Sequence, residues 1–214
     1  MSGLQRRSAL AHRIPLSTGD GAAALREIAF EGKLILRGAL DAIGGAAAGV
    51  LGVGLPGKVL ETTARSRGTA QWLGPDEWLI VCAPGQETSL AHDFEQALSG
   101  KHAQVVDVTD YYTTIELSGA HARAMLMKIA TVDFHPRAFT TGMAVTTNVG
   151  RAVAWLRQTP GDAFAIVIRI SMADYVWCLL AEAGREFGLP EVAPKGRVPL
   201  HPPQFETAPG EPKP

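Results

Sequence analysis

Apolar residues recur along this chain in two rhythms, and the rhythms alternate in a regular order. From Lys33 to Arg37 the run Leu34-Ile35-Leu36 predicts a strand, and the stripe Leu40, Ile43, Ala47, Val50 and Leu51 then keeps the period of a helix. Leu60 to Arg67 and Ala70 to Trp72 read as strand with a turn at Arg67-Gly68. Gly74-Pro75-Asp76 marks a tight turn before the apolar run Trp78 to Cys82. Leu90, Phe94, Ala97 and Leu98 share one face of a helix from about Glu87 to Ser99, which Gly100 stops.

The central stretch, Val105 to Lys128, repeats this phrase. Val105, Val106 and Val108 predict a short strand that Thr109 and Asp110 interrupt. Thr113, Ile115 and Leu117 then alternate with Tyr112, Thr114 and Glu116 in a second one. Ser118 is expected to cap a helix on Ala122, Met125, Leu126 and Ile129. Beyond a loop at 133–139, strands are predicted at Ala144 to Thr147, Ala152 to Leu156 and Phe164 to Ile170. Ser171 to Asp174 has the form of a capping box, and the helix it opens buries Tyr175 or Val176, Leu179, Leu180, Ala183 and Phe187.

Two echoes stand in nearly the same register. Leu36-Arg37-Gly38-Ala39 returns as Leu117-Ser118-Gly119-Ala120, and Trp78 to Cys82 leads into a helix much as Phe164 to Ile168 does. The order βαββαβ followed by βαβββα predicts an α+β fold of duplicated ferredoxin-like α/β units. Residues 1–21 read as an extended N-terminal arm. Residues 22–189 read as a single compact domain of two half-repeats, about 22–110 and 111–189, and 190–214 as an extended tail that holds eight of the 14 prolines.

Composition narrows the class of function. A net charge of −1, with 20 Lys and Arg scattered along 214 residues, leaves no electrostatic footprint for nucleic acid. Ala42 to Gly57 carries no charge, but its 16 residues fall short of a bilayer span. Cys82 and Cys178 each lie in an apolar segment and read as buried free thiols, which points to the cytoplasm. Arg6-Arg7 is not followed by the apolar region of an export signal.

The search for chemistry is largely empty. Gly52-Val53-Gly54-Leu55-Pro56-Gly57 has dinucleotide spacing, but a helix precedes it where a strand is required, so it reads as a helix end and turn. The six histidines never pair at metal-ligand spacing, and no metal site is expected. Asp107 and Asp110 flank a turn and read as its closing carboxylates. Asp133, His135 and Arg137 form one polar cluster on a loop, where structural hydrogen bonds compete with a partner contact. Trp72 and Trp78 are open between core and interface.

Five stretches in order carry a resemblance: WLGPDEWL (Trp72 to Leu79), VDVTD (Val106 to Asp110), TIELSG (Thr114 to Gly119), DFHPRAF (Asp133 to Phe139) and MADYVW (Met172 to Trp177). On these, from roughly Leu25 to Gly188, the chain resembles the gamma subunits of heterotetrameric sarcosine oxidases. Their wider relatives include the folate-binding domain of glycine-cleavage aminomethyltransferases. The resemblance implies a subunit, itself without catalytic, cofactor-binding or metal-binding residues, of an enzyme that oxidatively demethylates sarcosine to glycine. It implies alpha, beta and delta subunits as partners, with FAD, FMN, NAD and tetrahydrofolate on those partners. Trp72, Trp78, Tyr111, Asp133, His135, Arg137 and Phe139 are then the expected interface residues. The alternative is a free-standing folate-binding or aminomethyltransferase-like protein, with Asp107 or Asp110 as its carboxylate.

Overall fold

The computed structural model describes residues 6–192; residues 1–5 and 193–214, with most of the Pro-rich tail, lie outside the described residues. The first elements are β1 (Leu16–Ser17), β2 (Ala24–Ile28), β3 (Gly32–Gly38), α1 (Leu40–Leu51), β4 (Thr62–Arg65), β5 (Gly68–Gly74), β6 (Glu77–Cys82) and α2 (Glu87–Ala97). Then follow β7 (Ala103–Asp107), β8 (Tyr112–Ser118), α3 (Ala122–Ile129), β9 (Ala144–Val149), β10 (Ala152–Thr159), β11 (Ala163–Arg169) and α4 (Ile170–Gly184).

All strand pairs are antiparallel and form two sheets. Sheet I has the order β1-β2-β8-β11-β10-β9, and sheet II the order β4-β5-β6-β3-β7. Within sheet II, β5-β6-β3-β7 is the ferredoxin-like arrangement, and β4 lies outside β5. Sheet I repeats it: β10-β11-β8 follow the same path, β9 lies outside β10, and β2 fills beside β8 the place that β7 fills beside β3. The duplicated α+β plan of the sequence is therefore present, with one change. A half-repeat boundary at residue 110 puts β2 with the wrong sheet, because this strand comes from the N-terminal end and completes the C-terminal half. Its five residues offer too short an alternation to be seen: Leu25 is buried opposite Leu117, but the next inward position is Glu27.

Each sheet buries an apolar face under its own helices. Ile115, Leu117, Leu156, Phe164, Ile166 and Ile168 pack with Met125 and Leu126 of α3 and with Val176, Trp177 and Leu180 of α4. Leu34, Leu36, Trp78 and Ile80 pack with Ile43, Ala47 and Leu51 of α1 and with Leu90 and Phe94 of α2. Strand side chains alternate between faces, so the residues between these point the other way, and there the sheets meet. Leu79 and Val81 pack with Val167, joined by Ile35, Leu73, Tyr112 and Trp155. The layers run helix, sheet, sheet, helix. Between the sheets Lys33 is fully buried; its Nζ donates to the Glu31 carbonyl at 2.9 Å and lies 3.6 Å from the Glu31 carboxylate, which also accepts from Thr114 Oγ1 at 2.7 Å. Burial pulls the Lys33 ammonium below the usual lysine range, and Glu31 opposes that shift.

The repeated Gly38-Ala39 and Gly119-Ala120 have a structural cause. Gly38 closes β3 and Gly119 follows β8, both with positive φ, +153° and +104°, where the chain turns toward a helix. A Cβ on Gly119 would press on the carbonyl of Ala22 and lie 3.0 Å from the Ala23 nitrogen.

The sequence-predicted caps are not used as such. His121 and Arg169 are the N-cap residues of α3 and α4, with no side-chain cap bond at either, and Ser171 lies inside α4. Asp174 serves the N-terminal segment instead. Its Oδ1 accepts from Arg13 Nε at 2.7 Å and lies 2.6 Å from His12 Nε2, and its Oδ2 accepts from Arg13 Nη2 at 3.0 Å. Glu27 accepts from Ser8 Oγ at 2.6 Å, from Thr113 Oγ1 at 2.6 Å and from the Leu10 N–H at 3.2 Å. With Leu10 and Leu16 buried and β1 paired to β2, the described part of the supposed arm belongs to the fold.

Three outcomes follow from this packing. Gly119→Ala should lower stability by about 2–3 kcal/mol, through a positive φ and a backbone clash together, measured by urea unfolding. Gly45→Ala, on the exposed side of α1 with no atom within 4 Å of the new Cβ, should instead raise it by up to about 1 kcal/mol. The bidentate hydrogen bonds from Arg13, aided by His12, hold the Asp174 carboxyl at about 2, below its ordinary 3.8. The unfolded chain therefore takes up that proton first, and the stabilisation is complete above about pH 4 and lost as pH falls toward 2. Asp174→Asn should cost about 1–2 kcal/mol at neutral pH, allowing for partial exposure, and the gap to wild type should close over that acid window.

Candidate functional site

The residues singled out from sequence separate into three environments. Trp78 and Phe139 are internal: Trp78 is fully buried with its Nε1 donating to the Pro56 carbonyl at 2.8 Å, and Phe139 packs against Phe134 and Phe164. As interface residues both are corrected: Trp78 faces the helix-covered side of β6, and Phe139 turns from its loop into the core. Trp72 is half-buried.

Asp133, His135 and Arg137 are exposed but bonded within their own loop. Asp133 accepts from the His135 N–H at 2.9 Å, and His135 Nδ1 from the Arg137 N–H at 3.2 Å. The loop is anchored from below by a residue the sequence reading passed over. Arg123 Nη1 donates to the carbonyls of Phe134, at 2.6 Å, and Phe139, at 2.9 Å, while the guanidinium lies 5.4 Å from the Phe164 ring centre.

Tyr111 marks the third environment. Eight large apolar or aromatic side chains stand exposed among the described residues, and Val106 and Tyr111 line one groove beside Tyr112, Val153 lines a cavity on its other side, and Ile170 and Tyr175 lie on the first turns of α4 nearby. Local structure brings them there. The Ile170 N–H donates to the Tyr111 carbonyl at 3.1 Å, joining the start of α4 to the turn before β8, and the Arg151 N–H donates to Tyr175 Oη at 3.2 Å. Tyr111 meets Tyr112 edge to face at 5.1 Å, and Tyr112 lies on Trp155 at 4.5 Å. A cavity of about 350 Å³ opens here between Tyr112, Trp155, Met172, Arg151 and Arg169. Arg169 lies over the Tyr111 ring at 5.3 Å, and among the described residues neither it nor Arg151 has a carboxylate partner. The face thus presents aromatic surface and two positive charges.

Of these residues the sequence reading named Tyr111. A signal for the others existed: Trp155 sits between Ala154 and Leu156, so a large aromatic occupies the face of β10 turned from the core, which marks a second covered surface.

The remaining candidates have structural engagements. Asp107 closes a turn by accepting from the Thr109 N–H at 2.9 Å, and Asp110 pairs with Arg6. Asp110 borders a cavity of about 100 Å³ on one side and, with Asp107, an open groove of about 520 Å³ on the other. Cys82 is buried, and desolvation with nearby carboxylates pushes its thiol up to about 11. Cys178 is only partly buried, which corrects the expectation for it, and its Sγ accepts from Arg13 Nη2 at 3.3 Å. Gly52 is the left-handed C-cap of α1, so the glycine-spaced motif is a helix end, as read. No helix among the described residues is long and apolar enough to cross a membrane.

Comparison with known proteins gives a consistent result. The family model described as "Sarcosine oxidase, gamma subunit family" matches residues 37–186. The chain is 36% identical over 186 residues to a sarcosine oxidase subunit gamma from Arthrobacter sp, covering 86% of this chain and 91% of that one. It is 36% identical over 177 residues to its counterpart from Corynebacterium sp. (strain U-96), covering 82% and 85%. A chain of the heterotetrameric sarcosine oxidase from Corynebacterium sp. U-96, solved with pyrrole 2-carboxylate, superposes with a TM-score of 0.79 at 33% identity, over 88% of this chain and 99% of that one. The glycine cleavage system aminomethyltransferase T from Bartonella henselae shares the fold, with a TM-score of 0.57 at 15% identity over 83% of this chain and 48% of that one.

Removing the anchor of the 133–139 loop tests its structural role. Arg123→Met should lower the unfolding free energy by about 2–3 kcal/mol, since two carbonyls lose a charged donor. Arg123→Lys, which cannot bridge both carbonyls with a planar fork, should recover less than half of it in the same urea titration.

Proposed function

This chain belongs to the sarcosine oxidase gamma subunit family, and from that premise we propose that it is the non-catalytic, structural gamma subunit of a heterotetrameric sarcosine oxidase. The complex oxidatively demethylates sarcosine to glycine in the cytoplasm and passes the one-carbon unit to tetrahydrofolate. Alpha, beta and delta subunits are the partners, and FAD, FMN, NAD and tetrahydrofolate are held by them. The observation that carries this reading is the face built on Tyr111, Tyr112, Trp155, Arg151 and Arg169, where exposed apolar side chains converge with arginines that have no carboxylate partner among the described residues. Aromatic residues and arginine are the side chains enriched in subunit interfaces. The engagement of Asp107, Asp110, Asp133 and His135 in turns and ion pairs supports a structural role in place of a folate-binding one.

Affinity purification of the tagged chain from its native host under mild conditions tests the proposal. The expected eluate is yellow, with flavin absorption and three further polypeptides at equal stoichiometry. A colourless chain eluting alone would overturn it. Titration with tetrahydrofolate should give no binding to the isolated chain.

A further inference from the structure

The duplication makes β2 and β7 equivalent, and the two strands are treated differently. Each pairs with the first strand of a half, β2 with β8 and β7 with β3. Beyond β2 there is another strand: β1 pairs with it antiparallel, Leu16 opposite Leu25 and Ser17 opposite Ala24. Beyond β7, among the described residues, there is none.

Among the described residues that edge is open to hydrogen bonding. The Val108 N–H donates to the Lys33 carbonyl at 2.9 Å, which fixes the alternation along β7. Backbone groups of Gln104 and Val106 turn toward β3, and those of Val105 and Asp107 turn outward. Exposed edges are usually blunted by lysine, proline or a bulge, yet β7 reads Ala-Gln-Val-Val-Asp, without lysine or proline and in unbroken register with β3. Beside it runs a groove of about 520 Å³ lined by Val106, Asp107, Val108, Asp110, Tyr111 and Tyr112. Past Tyr111 stands Arg169, without a carboxylate partner among the described residues.

We propose that β7 receives an extended segment of another subunit as a sixth strand of sheet II, antiparallel, in the position that β1 holds on β2. The incoming segment satisfies the outward N–H and C=O groups of Val105 and Asp107. It lays an apolar side chain over Val106 and Tyr111, and it carries an acidic residue that pairs with Arg169. Strand addition supplies affinity through the main chain and selectivity through the alternate side chains that enter the groove. The inference rests on the chain being a subunit of a larger complex.

Hydrogen–deuterium exchange read by mass spectrometry tests it on the wild-type chain, free and in the complex purified through its tag. In the complex the amides of Val105 and Asp107 should exchange more slowly by roughly tenfold or more. Val106→Lys, which charges the groove, should reduce recovery of the partner polypeptides at least severalfold. Met127→Lys, on the exposed face of α3, should leave that recovery unchanged. Unchanged exchange at residues 103–107 in an intact complex would overturn strand addition while leaving the subunit reading in place. So would protection already present in the free chain and lost on deletion of residues 193–214, which would make the occupant this chain's own tail. A wild-type chain that recovers no partner overturns the subunit reading and the strand addition with it.

Discussion

Two sheets that each carry helices on one face can share a chain of this length only if their remaining faces cover one another. That constraint organises the molecule. It requires Leu79, Val81 and Val167 to be apolar on the side away from the helices, and it draws Tyr112 and Trp155 into the seam. It also explains Lys33, a fully buried ammonium that the seam tolerates because Glu31 supplies both a carbonyl and a nearby carboxylate. Where the seam reaches solvent beside β7 and the start of α4, the same aromatic residues become partly accessible and form the face proposed for subunit contact. Core and proposed contact face are one continuous surface, divided by where the sheets stop covering it.

Most of the architecture is legible in the sequence because most strands bury one face completely. The alternation of Phe164, Ile166 and Ile168, or of Thr113, Ile115 and Leu117, records contact with helices, and each apolar stripe on α1 to α4 records the reply. The duplication is visible as repeated words because strand-to-helix turns at Gly38 and Gly119 both take a positive φ. β2 escapes notice for the opposite reason. Its inward Glu27 gathers hydrogen bonds from Ser8, Leu10 and Thr113, all distant in sequence, so the strand is defined by partners and not by its own pattern. Asp174 misleads in a similar way: it has the spacing of a capping residue, but Arg13 reaches it from 161 positions away.

The candidate face was less visible. Tyr111 stands out as an aromatic residue at a turn, whereas Arg151 and Arg169 sit in a turn and at a strand end, where a polar residue carries no periodic signal. Their meaning lies in their convergence, which the pairing of β11 with β8 and β10 creates and no local window contains. The tryptophans show the converse. Trp72 and Trp78 look alike in the sequence and are directly opposite in the β5–β6 hairpin, yet Trp78 on β6 lies under the helices while Trp72 is only half-covered.

The crossing of β2 into the second sheet also sets a schedule for folding. Ala24 pairs with Ser118, 94 positions later (118 − 24 = 94), so a strand made early has no place to go until the middle of the chain exists. At ribosomal speeds of about 5–20 residues per second that wait is on the order of ten seconds. The first half, β3 to β7, can close its own sheet during that interval, because every strand it needs lies between residues 32 and 107. The second half cannot: it must recover its flanking strand from the beginning of the chain, around a domain already formed. The N-terminal segment thus waits, unpaired, through the making of the first half, and the two halves are joined in time as well as in space by β1 and β2, which precede one sheet and complete the other.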